Sequence, residues 1–332
     1  MSRYLEGRRY GFLTPENSGD FYKGIQHQQV AGYPVGIVYI EQVNYPLLPG
    51  NVVNACTYDF PVRMKAVPNL TNDRLFNNDP TIVDDIIEAA RSMVENDGVR
   101  AVCSACGFFG NYQQQVRRAL DVPVAMSSLV QIPWIESLIR PDQRIGILTA
   151  NKGSMTKELL ASCGVEHPDR LVIKDALATE EFAAVVDMRG HFNNTVAAQE
   201  ITDLAEELIA ENNDLGAILL ECSDMPPYAA AVQEATQLPV FDFITLIRWL
   251  RSGVALSIRA WASLIIDISP RKFCFMKSNP WLTPCICVST WETYSCVFCA
   301  SEVSILSESA FIAVCMPRRM SVVLLDTGYP LV

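Results

Sequence analysis

The chain has 332 residues, half of them hydrophobic, and a formal net charge of −11. A chain of this length and composition can bury a sizeable core, so it is globular and long enough for two domains. Its acidic balance argues against a nucleic-acid partner, because proteins that bind phosphate backbones usually carry a basic stripe, and it favours small molecules or proteins as partners.

Strands and helices alternate through most of the first 255 residues. Residues 1–32 mix glycine, proline and charges without a clear period, and they predict an irregular N-terminal arm. After them, short apolar β-rich runs predict strands, and stretches of helical periodicity predict helices between them. In chain order the predicted strands cover 33–41, 99–106, 122–128, 144–150, 215–222 and 238–243, and the predicted helices cover 81–96, 111–120, 153–163, 195–212 and 227–236.

Near-continuous apolar strands separated by helices predict an α/β fold with a parallel sheet that is covered on both faces. In such sheets ligands bind beyond the carboxyl ends of the strands, where loops and helix N-termini converge. Cys106 and Cys222 each end an apolar strand, in the stretches VRAVCSAC and LGAILLEC, and each is followed by a helical pattern. We therefore expect both thiols at the ligand-binding edge, facing each other across one cleft.

The last part of the chain has a different character. From about residue 251 the alternation stops, and the final 77 residues hold six of the 11 cysteines. Three interpretations of residues 256–332 stay open: a poorly packed, Cys-rich appendage, a segment translated from outside the natural reading frame, or a small zinc module. The break in composition favours the second. The zinc module would use the C-x-C and C-x-x-C pairs formed by Cys285, Cys287, Cys296 and Cys299.

The remaining features concern the compartment. The first 19 residues mix charges with polar residues where a secretory signal needs an apolar core, and no apolar run reaches the roughly 18 to 20 residues that span a bilayer. We therefore expect a cytoplasmic protein without a membrane partner, whose cysteines are mostly free thiols.

Two opposed thiols at strand ends suggest proton transfer. A helix N-terminus can lower the pKa of an adjacent thiol, and its N–H groups can bind a carboxylate. One thiolate and one thiol on opposite sides of a carbon could remove a proton from one face and deliver one to the other, which is racemisation without a cofactor. No cofactor or metal is expected, because no phosphate-binding glycine loop is present, the lysines lie outside both motifs, and the histidines lack metal-ligand spacing (His27, His167 and His191).

A purely structural interpretation competes with this catalytic one, because a single cysteine at a strand end is more often a small core residue. Two matching strand–Cys–helix contexts weigh against it for Cys106 and Cys222. We keep it for Cys163, which precedes Gly164 at a helix end, and for Cys103, which points to the opposite face of its sheet. A redox pair formed by Cys103 and Cys106 is a further alternative.

At these residues the sequence resembles the aspartate/glutamate racemase superfamily, in particular its hydantoin-racemase-like branch. The resemblance covers about residues 34–252, and its specific parts are ACGFFGNYQ and LLECSDMPPYA. It implies two pseudo-symmetric α/β lobes, each with a parallel sheet flanked by helices, and an active site in the cleft between them. The lobes are expected at 33–130 plus 237–255 and at 131–236. Two-lobed enzymes of this size are often homodimers.

The resemblance also implies the roles of residues. Cys106 and Cys222 would act as acid and base in a racemase or epimerase of an amino acid or related small carboxylate. Further positions fit contacts with such a substrate, although loop capping explains several of them equally well: Asn54, Thr57, Gly107, Phe108, Ser127, Ser128, Thr149, Ser223 and Asp224.

Three departures from the family pattern stand out. Ser-Asp follows Cys222 where the branch is closer to Thr-Asn, so Asp224 adds a negative charge near an anionic substrate. Glu41 is longer than the usual Asp, and the Cys-rich tail has no counterpart. The alternatives to a racemase are a cis–trans isomerase or a decarboxylase of a small diacid on the same scaffold, or an inactive or binding protein. The decarboxylase is disfavoured because it needs only one of the two cysteines.

Overall fold

The computed structural model describes residue 30, residues 32–255 and four short strands between residues 286 and 324. The predicted arm lies almost wholly outside the described residues. So do most of the predicted tail and two of the four cysteines of the suggested zinc module, Cys285 and Cys299.

The first 255 residues form eight strands and nine α-helices within the described range. The strands are β1 Val35–Ile40, β2 Val62–Val67, β3 Ala101–Ser104, β4 Val124–Ala125, β5 Arg144–Thr149, β6 Leu171–Asp175, β7 Leu215–Leu220 and β8 Val240–Phe241. The helices are α1 Asn72–Phe76, α2 Val83–Asp97, α3 Gln113–Ala119, α4 Ile132–Leu138, α5 Lys157–Ser162, α6 Ala184–Asp187, α7 Asn194–Glu211, α8 Ala229–Thr236 and α9 Phe243–Val254.

The strands form two parallel sheets of four, with the orders β2-β1-β3-β4 and β6-β5-β7-β8. The two orders are the same once the numbering is shifted by four. Strand β3 in the first sheet and strand β7 in the second therefore occupy equivalent inner positions. This confirms the predicted fold class of two α/β lobes, each with a parallel sheet flanked by helices.

Both faces of each sheet are buried, as the continuous apolar strands predict. On β1, Val35 and Ile37 pack beneath α9, whereas Val38 and Ile40 pack on the opposite face with α2. The core on this second face also contains Ile147 and Leu219 of the second sheet. One hydrophobic core therefore spans the two lobes.

Elements at the edges of the sheets were not predicted from the sequence. Strands β2 and β6 are edge strands, and most of their side chains are only half-buried. Their sequences VRMKAV and LVIKD contain charged residues, so they lack the apolar runs that mark the inner strands. Strands β4 and β8 are two residues long, which is shorter than predicted.

The segment 237–255 divides between the lobes. Strand β8 pairs with β7 in the second sheet, whereas α9 packs against the first sheet. Helix α9 begins with a capping box, in which the Asp242 side chain accepts from the Thr245 N–H and the Thr245 hydroxyl accepts from the Asp242 N–H. The chain therefore crosses from one lobe to the other at Asp242.

Four further strands form two antiparallel pairs by themselves: β9 Ile286–Thr290 with β10 Thr293–Val297, and β11 Phe311–Met316 with β12 Arg319–Leu324. Among the helices that the structure describes, none combines the length and apolar character needed to cross a bilayer.

Candidate active site

Cys106 and Cys222 occupy equivalent positions in the two lobes. Cys106 lies two residues beyond the end of β3, and Cys222 lies two residues beyond the end of β7. Because β3 and β7 are equivalent strands, the pseudo-symmetry of the fold brings the two thiols to one place. Both line a cavity of about 30 Å³ at the carboxyl ends of the strands.

Asp224 is the most heavily hydrogen-bonded side chain of this cavity. Its carboxylate accepts from the Cys222 thiol at 3.5 Å, the Tyr45 hydroxyl at 3.2 Å and the Ser223 hydroxyl at 3.3 Å, and also from the Asn51 side-chain amide. Tyr45 and Asn51 come from the loop after β1, so the first lobe supplies two of the four donors. The donors stabilise the carboxylate, but burial is the larger effect and raises the pKa of Asp224.

Glu221 is fully buried at the end of β7 and lines the same cavity. Its Oε2 accepts from the Thr149 hydroxyl at 2.8 Å, and its backbone carbonyl accepts from the Ser128 hydroxyl at 3.0 Å. Burial, with a smaller contribution from the charge of Asp224, raises the pKa of Glu221 to about 7. This site therefore holds a second carboxyl group that is partly protonated near neutral pH.

The thiol pKa values move in the direction opposite to the one that the helix N-termini suggested. Burial raises the pKa of both Cys106 and Cys222, and the charges of Glu221 and Asp224 raise it further. The backbone N–H of Phe108 stabilises the Cys106 thiolate, but this effect is smaller. Proximity to a helix N-terminus is therefore outweighed here by loss of water and by two neighbouring carboxylates.

The remaining predicted residues fall into two groups. Gly107, Phe108, Ser223 and Asp224 line the cavity with the two thiols. The other five form hydrogen bonds within the protein and do not line this cavity in the described structure. Thr149 and Ser128 contact Glu221, and Ser127 caps a 3-10 helix by accepting from the Leu129 N–H. Asn54 and Thr57 form hydrogen bonds within the loop after β1.

The loop after β1 matters for the site because it carries two of the hydrogen-bond donors to the Asp224 carboxylate. The Thr57 hydroxyl donates to the Asn51 carbonyl at 2.7 Å and accepts from the Gly50 N–H at 2.9 Å. The Asn54 amide donates to the Leu47 carbonyl at 2.9 Å. Asn54 and Thr57 thus hold the loop in the conformation that presents Tyr45 and Asn51 to Asp224.

Tyr45, Asn51 and Glu221 were not predicted from the sequence. The signal for Glu221 was a lone acid at the end of an apolar strand, next to a selected cysteine, because a charged residue is rarely fully buried without a reason. Tyr45 and Asn51 lie in a loop without secondary structure, and only the folded chain shows that they reach the other lobe.

The other cysteines of residues 32–255 lie outside this cavity. Cys103 is buried beneath α9, on the face of the sheet opposite to the core that Cys106 packs against, and both are free thiols. Cys163 is buried in the core shared by the lobes. Across the described residues, no group of three or more His, Cys, Asp or Glu side chains is arranged to hold a metal ion.

No protein-family model matches the sequence. The chain is 32% identical over 216 residues to a dimethylsulfoniopropionate lyase of Durusdinium sp. clade D, with 63% of this chain and 71% of that protein covered. The chain belongs to the dimethylsulfoniopropionate lyase family. Dimethylsulfoniopropionate lyase 6 of Emiliania huxleyi (strain CCMP1516) is 32% identical over 252 residues, with 72% of this chain covered and 63% of the relative's length spanned.

A solved structure of allantoin racemase from Pseudomonas fluorescens is similar to this chain with a TM-score of 0.48 and 16% identity, covering 73% of this chain and 99% of that one. At this identity and TM-score, the likeness carries no conclusion about family or activity.

The predicted activity is wrong. The curated relatives are lyases by name, which contradicts both the racemase and the isomerase class. The decarboxylase alternative, which is also a lyase reaction, comes closer. The error has a physical cause: inversion and elimination both begin when a base takes a proton from the carbon beside a carboxylate, so two opposed thiols do not distinguish between them.

Proposed function

We propose that this protein is a lyase that cleaves dimethylsulfoniopropionate or a closely related sulfonium carboxylate. The similarity to relatives of that name carries the proposal. In such a β-elimination a base removes a proton from the carbon next to the carboxylate, and the electron pair of that C–H bond forms a carbon–carbon double bond. The C–S bonding pair leaves with dimethyl sulfide, and acrylate remains.

The charge of the cavity supports a cationic substrate group. Asp224, Glu221 and the two thiols supply acidic groups from both lobes, and the cavity is also lined by the aromatic rings of Tyr45, Phe76 and Phe108. Carboxylates and ring faces both attract onium cations. The extra negative charge of Asp224, unexpected for a purely anionic substrate, thus fits a zwitterion whose sulfonium group lies beside it.

We assign the role of base to Cys222, because its thiol donates to the Asp224 carboxylate at 3.5 Å and so has an acceptor for its proton. The thiol pKa is raised by burial and by the nearby carboxylates. A sulfonium cation at about 4 Å would stabilise the thiolate by about 4 kcal/mol at an effective dielectric constant of about 20. The substrate's own charge therefore promotes formation of the base. We assign to Cys106, which the first lobe contributes to the same cavity, the role of orienting the substrate carbon.

The test is direct. The full-length protein is incubated with dimethylsulfoniopropionate under reducing conditions, with dimethyl sulfide measured by gas chromatography and acrylate by NMR. We expect Cys222→Ser to lower turnover by about 1000-fold, within the 10²–10⁴ range of general-base contributions, and Cys106→Ser to lower it less. Cys56→Ser, a change at an exposed thiol, is the matched control.

Two results would contradict the proposal. Folded wild-type protein that releases no dimethyl sulfide would exclude the activity. Full turnover by Cys222→Ser would leave the activity but remove the assigned base. The neutral thioether 3-(methylthio)propionate tests the need for a cation, and we expect no cleavage of it, because it lacks both the positive charge and the good leaving group.

A further inference from the structure

Glu221 has a free carboxyl oxygen in a site where polar atoms are otherwise paired. Its Oε2 accepts from Thr149, but its Oε1 is buried and has no hydrogen-bond partner among the described residues. A buried acceptor without a partner costs roughly 1–3 kcal/mol, so such an atom calls for an explanation. The side chain is fully buried and therefore cannot satisfy Oε1 with bulk water.

The position of this oxygen is defined by Gly107. The Cβ atom of any other residue at position 107 would collide with Oε1 of Glu221, so the carboxyl group occupies the space that such a side chain would fill. Gly107, Cys106 and Glu221 line the same cavity. The free oxygen of the second lobe is therefore held against the backbone that follows the first-lobe thiol.

The groups that face Glu221 are neutral or acidic. Its electrostatic neighbours are Asp224 and the thiols of Cys106, Cys222 and Cys163. Burial and Asp224 raise its pKa to about 7, while the Thr149 hydroxyl and the Ala150 N–H, which stabilise the carboxylate, lower it by smaller amounts. Because Oε2 already accepts a hydrogen bond from Thr149, the proton of the neutral form resides on Oε1.

We propose that Glu221 in its protonated form donates a hydrogen bond from Oε1 to the substrate carboxylate, which binds in the cavity beside Gly107. This rests on the proposed function and adds the second half of substrate recognition: Asp224 attracts the sulfonium end, and Glu221 donates a hydrogen bond to the carboxylate end. An ionised Glu221 would repel that carboxylate. A neutral carboxylic acid that donates to an oxygen on which charge accumulates is a known catalytic device, as in ketosteroid isomerase.

The same hydrogen bond assists the elimination. When the base removes the α-proton, negative charge spreads onto the substrate carboxylate oxygens before dimethyl sulfide leaves. A donor aimed at those oxygens therefore binds the transition state more strongly than the ground state. The proton stays on Glu221 throughout, so no additional acceptor is required.

Glutamine separates this role from that of a base. In Glu221→Gln the amide oxygen would take the place of Oε2 beside Thr149, and the NH₂ group would take the place of the protonated Oε1. We expect kcat/KM of the wild type to fall as pH rises above about 7, because the carboxyl ionises. Glu221→Gln should stay within about fivefold of the wild type at about pH 6 and lose this alkaline decline, whereas Glu221→Ala should lose about 100-fold at about pH 6.

Matched controls are available in the chain. Glu136→Gln removes another carboxyl whose Oε1 is buried and unpartnered, but on α4 and away from the cavity lining, and it should leave the profile unchanged. Melting curves establish that each variant is folded. The proposal would be overturned if Glu221→Gln were as inactive as Glu221→Ala, or if Glu221→Ala were as active as the wild type. If the alanine variant does not fold, the activity of the glutamine variant alone decides the test.

A binding measurement separates this proposal from the activity itself. Calorimetric titration of acrylate in buffers of different ionisation enthalpy should show proton uptake by the wild type at about pH 7.5 and none by Glu221→Gln, because carboxylate binding favours protonated Glu221. Wild-type protein that takes up a proton but releases no dimethyl sulfide would refute the lyase assignment and leave a carboxylate site. Dimethyl sulfide release without proton uptake would refute the role of Glu221.

Discussion

Replacing Glu221 by glutamine should stabilise the folded protein at alkaline pH and change it little in acid. In the folded state burial keeps the proton on Glu221 up to a pKa of about 7, whereas the ordinary value is 4.5. Between these two pH values the unfolded chain has released the proton and the folded chain still holds it. Folding stability of the wild type therefore declines as pH rises through this window and levels off above it.

The size of the effect follows from the two pKa values. Their difference is worth about 3 kcal/mol, because each tenfold change in proton affinity corresponds to about 1.4 kcal/mol at 25 °C. Most of it appears between pH 5 and pH 8. Glutamine does not titrate, so the free energy of unfolding of Glu221→Gln relative to the wild type should rise by about 2.5 kcal/mol over that range.

Urea denaturation followed by circular dichroism at about pH 5 and about pH 8 measures this difference in the full-length protein. Glu136→Gln, carried through the same series, corrects for general effects of removing a glutamate. A relative stability of Glu221→Gln that is the same at both pH values would show that Glu221 is ionised throughout, and it would refute the argument from burial.

Three further outcomes are expected. Gly107→Ala should push the Glu221 carboxyl aside, since the new Cβ would meet its Oε1, and should therefore lower dimethyl sulfide release. In a double-mutant cycle, this loss of activity should largely vanish in the Glu221→Ala background. Additive losses would contradict the coupling between Gly107 and Glu221. Thr149→Val removes a donor to the carboxylate, so it should raise the pKa of Glu221 and move the alkaline decline of kcat/KM upward, and a downward shift would contradict this. Thr156→Ala removes the N-cap of α5, where Thr156 Oγ1 accepts from the Leu159 N–H at 3.1 Å. It should lower the free energy of unfolding, measured by urea denaturation, by about 1 kcal/mol without altering the pH profile of kcat/KM. An unchanged unfolding midpoint would show that the cap contributes nothing.

The inner strands and most of the long helices could be predicted because their signals are local. Strands β1, β5 and β7 are buried on both faces and are therefore continuously apolar, and α2 and α7 show helical periodicity over 15 and 18 residues. The edge strands β2 and β6 remained unseen, since half-buried strands tolerate charged residues. Helix α9 was also missed, although it carries a capping box at its first turn.

The candidate site could be predicted only in part. A cysteine at the end of each equivalent inner strand is a local pattern, and parallel sheets place such residues at the ligand-binding edge, so Cys106 and Cys222 were found. The contacts of Tyr45 and Asn51 with Asp224 span more than 170 positions of the chain and leave no local pattern. The predicted activity was wrong, because a pair of thiols does not by itself distinguish a racemase from a lyase.

The sequence by itself determined the α/β class, the burial of the inner strands and the location of the two thiols, because these follow from hydrophobic periodicity and from the geometry of parallel sheets. The tertiary structure alone decided the electrostatics of the cavity. It buried Glu221 against Gly107 with one oxygen free, surrounded Asp224 with donors from both lobes, and raised the pKa of both thiols. Burial and proximity between distant segments set these properties, and no local pattern encodes either of them.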